Sequence, residues 1–184
     1  MTVLEDRPAT ALLVIDVQED VMSGVWQPGE VIGRIMKLVK RARAEGAPVV
    51  WVQHEDEDMF PGTPGWQIVE ELAPVAGEPV VANRFRSPFE GTDLDSVLAG
   101  LSVGRLVVCG AQSDFCVRST IHAALEKGYD VVLVADAHTT EDAAIDGVTI
   151  PAELIVAHQN CITRGYSLPG RTSDIQPHHQ VRLR

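Results

Sequence analysis

Residues Leu106–Val117 read Leu-Val-Val-Cys-Gly-Ala-Gln-Ser-Asp-Phe-Cys-Val. Four apolar residues run without interruption. Gly110 then breaks the run, and a turn opens onto a pattern in which Val117, Ile121, Ala124 and Leu125 recur at helical spacing. Continuous Val-rich runs mark strands buried on both faces, the habit of parallel sheets. A strand feeding an amphipathic helix is one half of a crossover unit.

The same unit recurs along the chain. Further apolar runs lie at Ala11–Ile15, Pro48–Val52, Pro79–Ala82 and Val131–Ala135, with Cys161–Thr163 as a shorter sixth candidate. Between them, Val31, Ile35, Leu38, Val39 and Ala42 form an apolar stripe that Gly46 ends, and Asp93–Ala99 and Pro151–Gln159 are two further helices. This alternation predicts an α/β fold with a mainly parallel sheet covered by helices. The acidic, proline-bearing stretch His54–Gly65 reads as a loop. The domain is expected over residues 1–168, with 169–184 a polar C-terminal tail, extended or partly disordered.

Composition narrows the function. The 184 residues carry a formal charge of −11, with 45% apolar and 22% charged side chains. A nucleic-acid partner needs a basic surface and is not expected, nor is an anionic membrane face. The apolar runs are far shorter than the ~20 residues of a membrane helix. Met1–Asp6 shows no basic segment ahead of an apolar core, so no signal peptide is expected. The three cysteines, Cys109, Cys116 and Cys161, suggest a reducing compartment rather than a disulfide framework. A cytoplasmic protein is the expectation.

Ligands of open parallel sheets bind beyond the carboxyl ends of the strands. Asp16, Gln53, His54, Asn83, Gly110 and Asp136 fall there. Cys116 comes next at a predicted helix start, where free N–H groups and the helix dipole favour a thiolate and can hold an oxyanion. The competing reading of Cys116 is a buried inert thiol, and that of Asp16 a turn cap. Cys109, inside an apolar strand, reads as a packing residue, and Cys161 is ambiguous with packing favoured; Cys116, at the predicted helix start, is expected to be the most reactive thiol.

Several ordered blocks resemble one family. They are Ala11–Gln18, Ser87–Leu94, Val108–Val117, Asp136–Thr140, and Pro151–Glu153 with His158–Asn160. Together they resemble the isochorismatase-like cysteine hydrolases over roughly residues 10–165. The resemblance implies a Rossmann-like three-layer α/β/α sandwich and a catalytic Asp, Lys and Cys. Asp16 would be the general base and Cys116 the nucleophile. A cis peptide would join Ala111 and Gln112, giving an oxyanion site. The family Lys falls on Asn83. None of the three lysines, Lys37, Lys40 and Lys127, is placed near it. Arg84 and Arg86 flank Asn83, on the opposite face if the strand continues, and are candidates for holding an anion.

Trp26, Phe89 and Phe115 are candidate pocket linings, each with core packing as the alternative. No metal is expected: the loop after the second strand lacks the histidine pair of the family's zinc-binding members, and His178 and His179 read as solvent-facing. No cofactor is expected. The reaction implied is hydrolysis of a small amide or ureido C–N bond through a Cys thioester. The alternatives are a non-catalytic binding or assembly protein that has lost the Lys, and a vinyl-ether hydrolase of the isochorismatase type. The partners expected are a small-molecule substrate and further copies of the chain, as a dimer or tetramer.

Overall fold

The computed structural model describes residues 2–166 and 168–184. The chain runs β1 (Ala9–Ile15), α1 (Glu19–Met22), α2 (Pro28–Glu45), β2 (Val49–His54), β3 (Val80–Asn83), α3 (Leu94–Gly100), β4 (Val103–Ala111), α4 (Arg118–Lys127) and β5 (Asp130–Thr139). A short hairpin, β6 (Ala143–Ile145) and β7 (Val148–Ile150), precedes α5 (Ala152–Gly165) and β8 (Ser173–Gln176).

Six parallel strands form the central sheet in the order β3-β2-β1-β4-β5-β8, and the hairpin stands apart from it. Helix α2 lays Val31, Ile35, Leu38 and Val39 on one face, against Leu12, Val14 and Trp51. Helices α3 and α4 lay Leu94, Leu98, Ile121 and Leu125 on the other, against Leu13, Ile15 and Val108. This is the three-layer α/β/α sandwich expected from the sequence. Each fully buried Leu or Ile in these layers contributes roughly 1.5–3 kcal/mol of apolar burial. Both faces of β1 are covered, which is why ALLVI does not alternate with polar residues.

Two expectations are corrected. Cys161–Thr163 lies inside α5, which continues past Gln159 to Gly165. The sixth strand comes instead from the predicted tail. Ser173–Gln176 pairs with Val131–Val134 of β5, and Val181 and Leu183 beyond it are buried against the α2 layer. An edge strand needs no apolar run, and Ser-Asp-Ile-Gln carries none. Among the described residues no helix is long and apolar enough to cross a membrane.

Strand order reverses direction between β1 and β4. From β1 the chain builds outward through β2 and β3; from β4 it builds the other way through β5 to β8. The crevice at such a switch point, beyond the carboxyl ends of the two strands, is where a doubly wound sheet holds its ligand. Asp16 leaves β1 there, and the turn to Cys116 leaves β4 there.

Candidate active site

Asp16 is the first residue past β1. It adopts the left-handed backbone conformation, φ 48°, and donates its N–H to the Val52 carbonyl at 3.0 Å. Asp tolerates this region better than most residues, at a cost of about 1–3 kcal/mol. The side chain is turned inward and 2% exposed. Among the described residues neither carboxylate oxygen has a hydrogen-bond partner of good geometry. Burial pushes the Asp16 carboxyl up to about 7; Cys116, His54 and Arg86 act on it in the opposite direction.

The Cys116 side depends on Gly110. Its φ is +120°, and a Cβ there would stand 2.0 Å from the Ile15 carbonyl oxygen. Only glycine lets β4 approach the end of β1 this closely. The Ala111–Gln112 peptide is cis, as expected. The chain then forms a π-helical turn, Ser113–Val117, running directly into α4, and the Gln112 carbonyl accepts the N–H groups of Phe115 at 3.2 Å and Val117 at 3.1 Å. Single π-turns of this kind occur often at functional sites. Cys116 sits within it, 6% exposed. Burial and the neighbouring Asp16 push its thiol up, while Arg86 pulls it down. Both members of the pair therefore resist becoming anions together.

Asn83 and the two arginines differ from the alternating-strand expectation. β3 ends at Asn83, so period-two alternation does not govern the residues after it. The Asn83 amide is fully buried but serves its own turn, donating to the Phe85 carbonyl at 2.6 Å and accepting the Phe85 N–H at 3.1 Å. Arg84 is turned to solvent and paired with Glu55 at 2.8 Å. Arg86 curls back. Its guanidinium lies 4.0 Å from the centre of the Phe115 ring and acts on both Cys116 and Asp16. The positive charge of the site is thus carried by Arg86.

The remaining candidates separate. Phe115 is exposed and lies beneath Arg86, at the site. Phe89 packs on Tyr129, with ring centres 5.8 Å apart. Trp26 lines a different cleft, of about 320 Å³, with Arg34, His138 and Asn160. Cys109 is buried, whereas Cys161 is exposed rather than a packing residue. His178 is not a free tail residue: its N–H and Nδ1 hold the Asp136 carboxylate at 2.8 and 2.7 Å. Asp136, His178 and His179 converge as potential metal ligands, but Arg34 stands 4.0 Å from the same carboxylate.

Sequence reading missed two supports. Gln18, fully buried, accepts the His54 N–H at 2.7 Å and donates to the His54 and Trp66 carbonyls at 2.8 and 2.9 Å, tying β1 to the loop after β2. His138 binds Ser113 Oγ at 2.8 Å through Nδ1 and Asn160 Oδ1 at 3.2 Å through Nε2. Asn160 spends its own N–H on the Ala135 carbonyl, so its oxygen must accept, and Ser113 donates to His138. Burial holds the His138 ring down at about 4, hence neutral. These contacts join residues 25 and 22 positions apart, beyond the reach of any local pattern.

Comparison with known proteins agrees with the fold. Residues 10–146 match the isochorismatase domain. A streptothricin hydrolase of Streptomyces noursei is 39% identical over 158 residues, covering 80% of this chain and 62% of its own length. The chain thus spans less than two thirds of that relative. A ureidoacrylate amidohydrolase of Methylobacterium radiotolerans is 29% identical over 174 residues, covering 72% of this chain and 67% of its own. An isochorismatase crystal structure from Pseudomonas putida superposes with a TM-score of 0.87 at 28% identity, covering 95% of this chain and 90% of that one.

Proposed function

The chain belongs to the isochorismatase family of hydrolases, and on that premise we propose that it cleaves a small amide or ureido C–N bond with Cys116 as nucleophile. The observation that carries this reading is the buried Asp16–Cys116 pair under Arg86. Asp16, with a carboxyl near 7, is poised to take the thiol proton at neutral pH. Proton transfer within the pair creates the thiolate without adding a second charge to the buried site. Arg86 brings the fixed positive charge of a guanidinium, so it steadies the thiolate electrostatically and moves no proton.

The thiolate then attacks the carbonyl carbon. Backbone N–H groups near Gln112 and at the start of the helical turn carrying Cys116 face the developing oxyanion. Asp16 returns the proton to the leaving nitrogen, the C–N bond breaks, and the acyl group remains on sulfur. Water releases it as the acid. Positioned acid–base transfer of this kind supplies typically about 10²–10⁴ in rate.

The relatives named as an amidohydrolase and a hydrolase support the reaction class. The test is capture. With a library of small amides and ureas, a substrate should leave an acyl adduct on Cys116 detectable by mass, and Cys116→Ala should abolish both adduct and turnover. Turnover that survives Cys116→Ala would refute the reading.

A further inference from the structure

We propose that His138 is the positioning residue of this site: it holds Ser113, the first residue of the π-helical turn, and so sets the direction in which Cys116 presents its sulfur. The proposal deepens the cysteine-hydrolase reading above and rests on it.

The turn Ser113–Val117 is held differently at its two ends. Its exit runs straight into α4, whose Ile121 and Leu125 are packed on the sheet. Its entrance has no helix before it, and there the end of β5 takes over. The β4–β5 ladder passes from Val108–Leu133 to Gly110–His138, so β5 bulges between them and His138 stands beside the end of β4. Its Nδ1 meets Ser113 Oγ at 2.8 Å. Two residues on, Thr140 Oγ1 donates to Asp114 Oδ1 at 2.6 Å. Thr139, between them, turns the other way and donates to the Trp26 carbonyl at 2.5 Å. Alternate residues thus grip the first two residues of the turn, and Cys116 is the fourth.

Ser113 and His138 are both fully buried, so breaking their bond leaves a polar atom that water does not satisfy. His138 is fixed in turn by Asn160 of α5, whose Oδ1 lies 3.2 Å from Nε2 and whose amide donates to the Ala135 carbonyl at 2.9 Å. Nε2 therefore carries the ring hydrogen, Nδ1 accepts, and the Ser113 hydroxyl donates. Both ring nitrogens are spent on this chain, and burial holds the ring down at about 4. His138 is neutral at pH 7 and takes no part in proton transfer; it acts through Ser113, on geometry. With its entrance released, the turn would still be carried by α4, but the sulfur would leave its line between Asp16 and the bound carbonyl. A misplacement of about 1 Å costs about 10² in rate.

The probe is p-nitrophenyl acetate, which should release p-nitrophenolate in the first turnover and leave an acetyl group on wild-type Cys116. Asparagine at position 138 puts an amide oxygen where Nδ1 stands; glutamine puts its amide where Nε2 stands. His138→Gln and Ser113→Ala should therefore slow the first turnover about 10²-fold, with KM for the ester unchanged. His138→Asn, which keeps an acceptor for Ser113, should recover most of that loss. Ser113→Ala combined with His138→Gln should be no slower than either alone, because both act through one bond. The first-turnover rate of His138→Gln should still rise through about pH 7, where Asp16 titrates.

A first turnover at the wild-type rate in folded His138→Gln and Ser113→Ala overturns the proposal. So does His138→Asn as slow as His138→Gln, since the ring would then only fill space. A displaced pH midpoint in His138→Gln overturns it too, by making His138 a titrating group of the site. If His138→Gln does not fold, Ser113→Ala, the smaller change, reads the same bond. Absence of any acetyl on wild-type Cys116 overturns the cysteine-hydrolase reading, and this proposal with it.

Discussion

The Arg86 guanidinium lies 4.0 Å from the centre of the Phe115 ring, so the residue just before Cys116 holds a cation that also acts on the Cys116 thiol. Such a contact is worth about 0.5–2 kcal/mol, depending on desolvation. It fixes a long side chain that no carboxylate pairs within salt-bridge distance among the described residues.

Arg86→Ala should lower kcat/KM by about 10²–10³ on any identified substrate, the usual loss of one fixed electrostatic contact. Arg84→Ala should change it little, because Arg84 is exposed and already paired with Glu55. Steady-state kinetics of both variants check this; equal losses would show that Arg86 holds no special place.

Asn83→Lys should not create a faster enzyme. The Asn83 amide makes two hydrogen bonds with Phe85 that shape the turn delivering Arg86. A buried lysine there would forfeit both and need a counter-ion. Destabilisation of about 1–3 kcal/mol in a urea melt is expected, with turnover reduced. Faster turnover would place position 83 in the reacting space after all.

The Asp16 carboxyl is raised by burial from 3.8 to about 7 in the folded chain. Between those values the folded chain holds a proton that the unfolded chain releases. This group therefore lowers stability as pH rises through that window. Asp16→Asn should stabilise the protein by about 1–4 kcal/mol at pH 8 and by almost nothing near pH 4, while abolishing turnover. Wild-type kcat/KM should rise through pH 7 as the base form appears. Urea melts at the two pH values and a pH–rate profile measure both signs.

Resting-state alkylation should favour Cys161 over Cys116. Cys161 is exposed, and the Cys116 thiol is buried and raised by burial and Asp16. Peptide mapping after brief iodoacetamide treatment at pH 7 reads the order. Substrate-derived adducts should nonetheless form on Cys116.

Val181→Ala and Leu183→Ala should each cost about 1–4 kcal/mol, because both side chains are buried under the α2 layer. Neutral effects in thermal melts would mean that the C-terminal segment does not contribute to the core.

The sequence by itself determined the α/β class, five of the six sheet strands and their helices. Strands covered on both faces must be continuously apolar, and helices on a sheet must carry a stripe, so the burial pattern is written locally. It also pointed to Asp16, Cys116, Gly110 and the Ala111–Gln112 bond, through position at strand ends and family resemblance. Tertiary structure alone decided the rest. Ser173–Gln176 is an edge strand without an apolar run, and only the free flank of β5 makes it part of the sheet. Alternation carried beyond Asn83 puts Arg86 on the wrong side, because the strand stops there. His54 reads locally as the start of an acidic loop, yet its partners Asp16, Asn83 and Gln18 lie on other strands or their ends. Charge balance in a buried pocket depends on which distant side chains face one another, and sheet order and chain path set that.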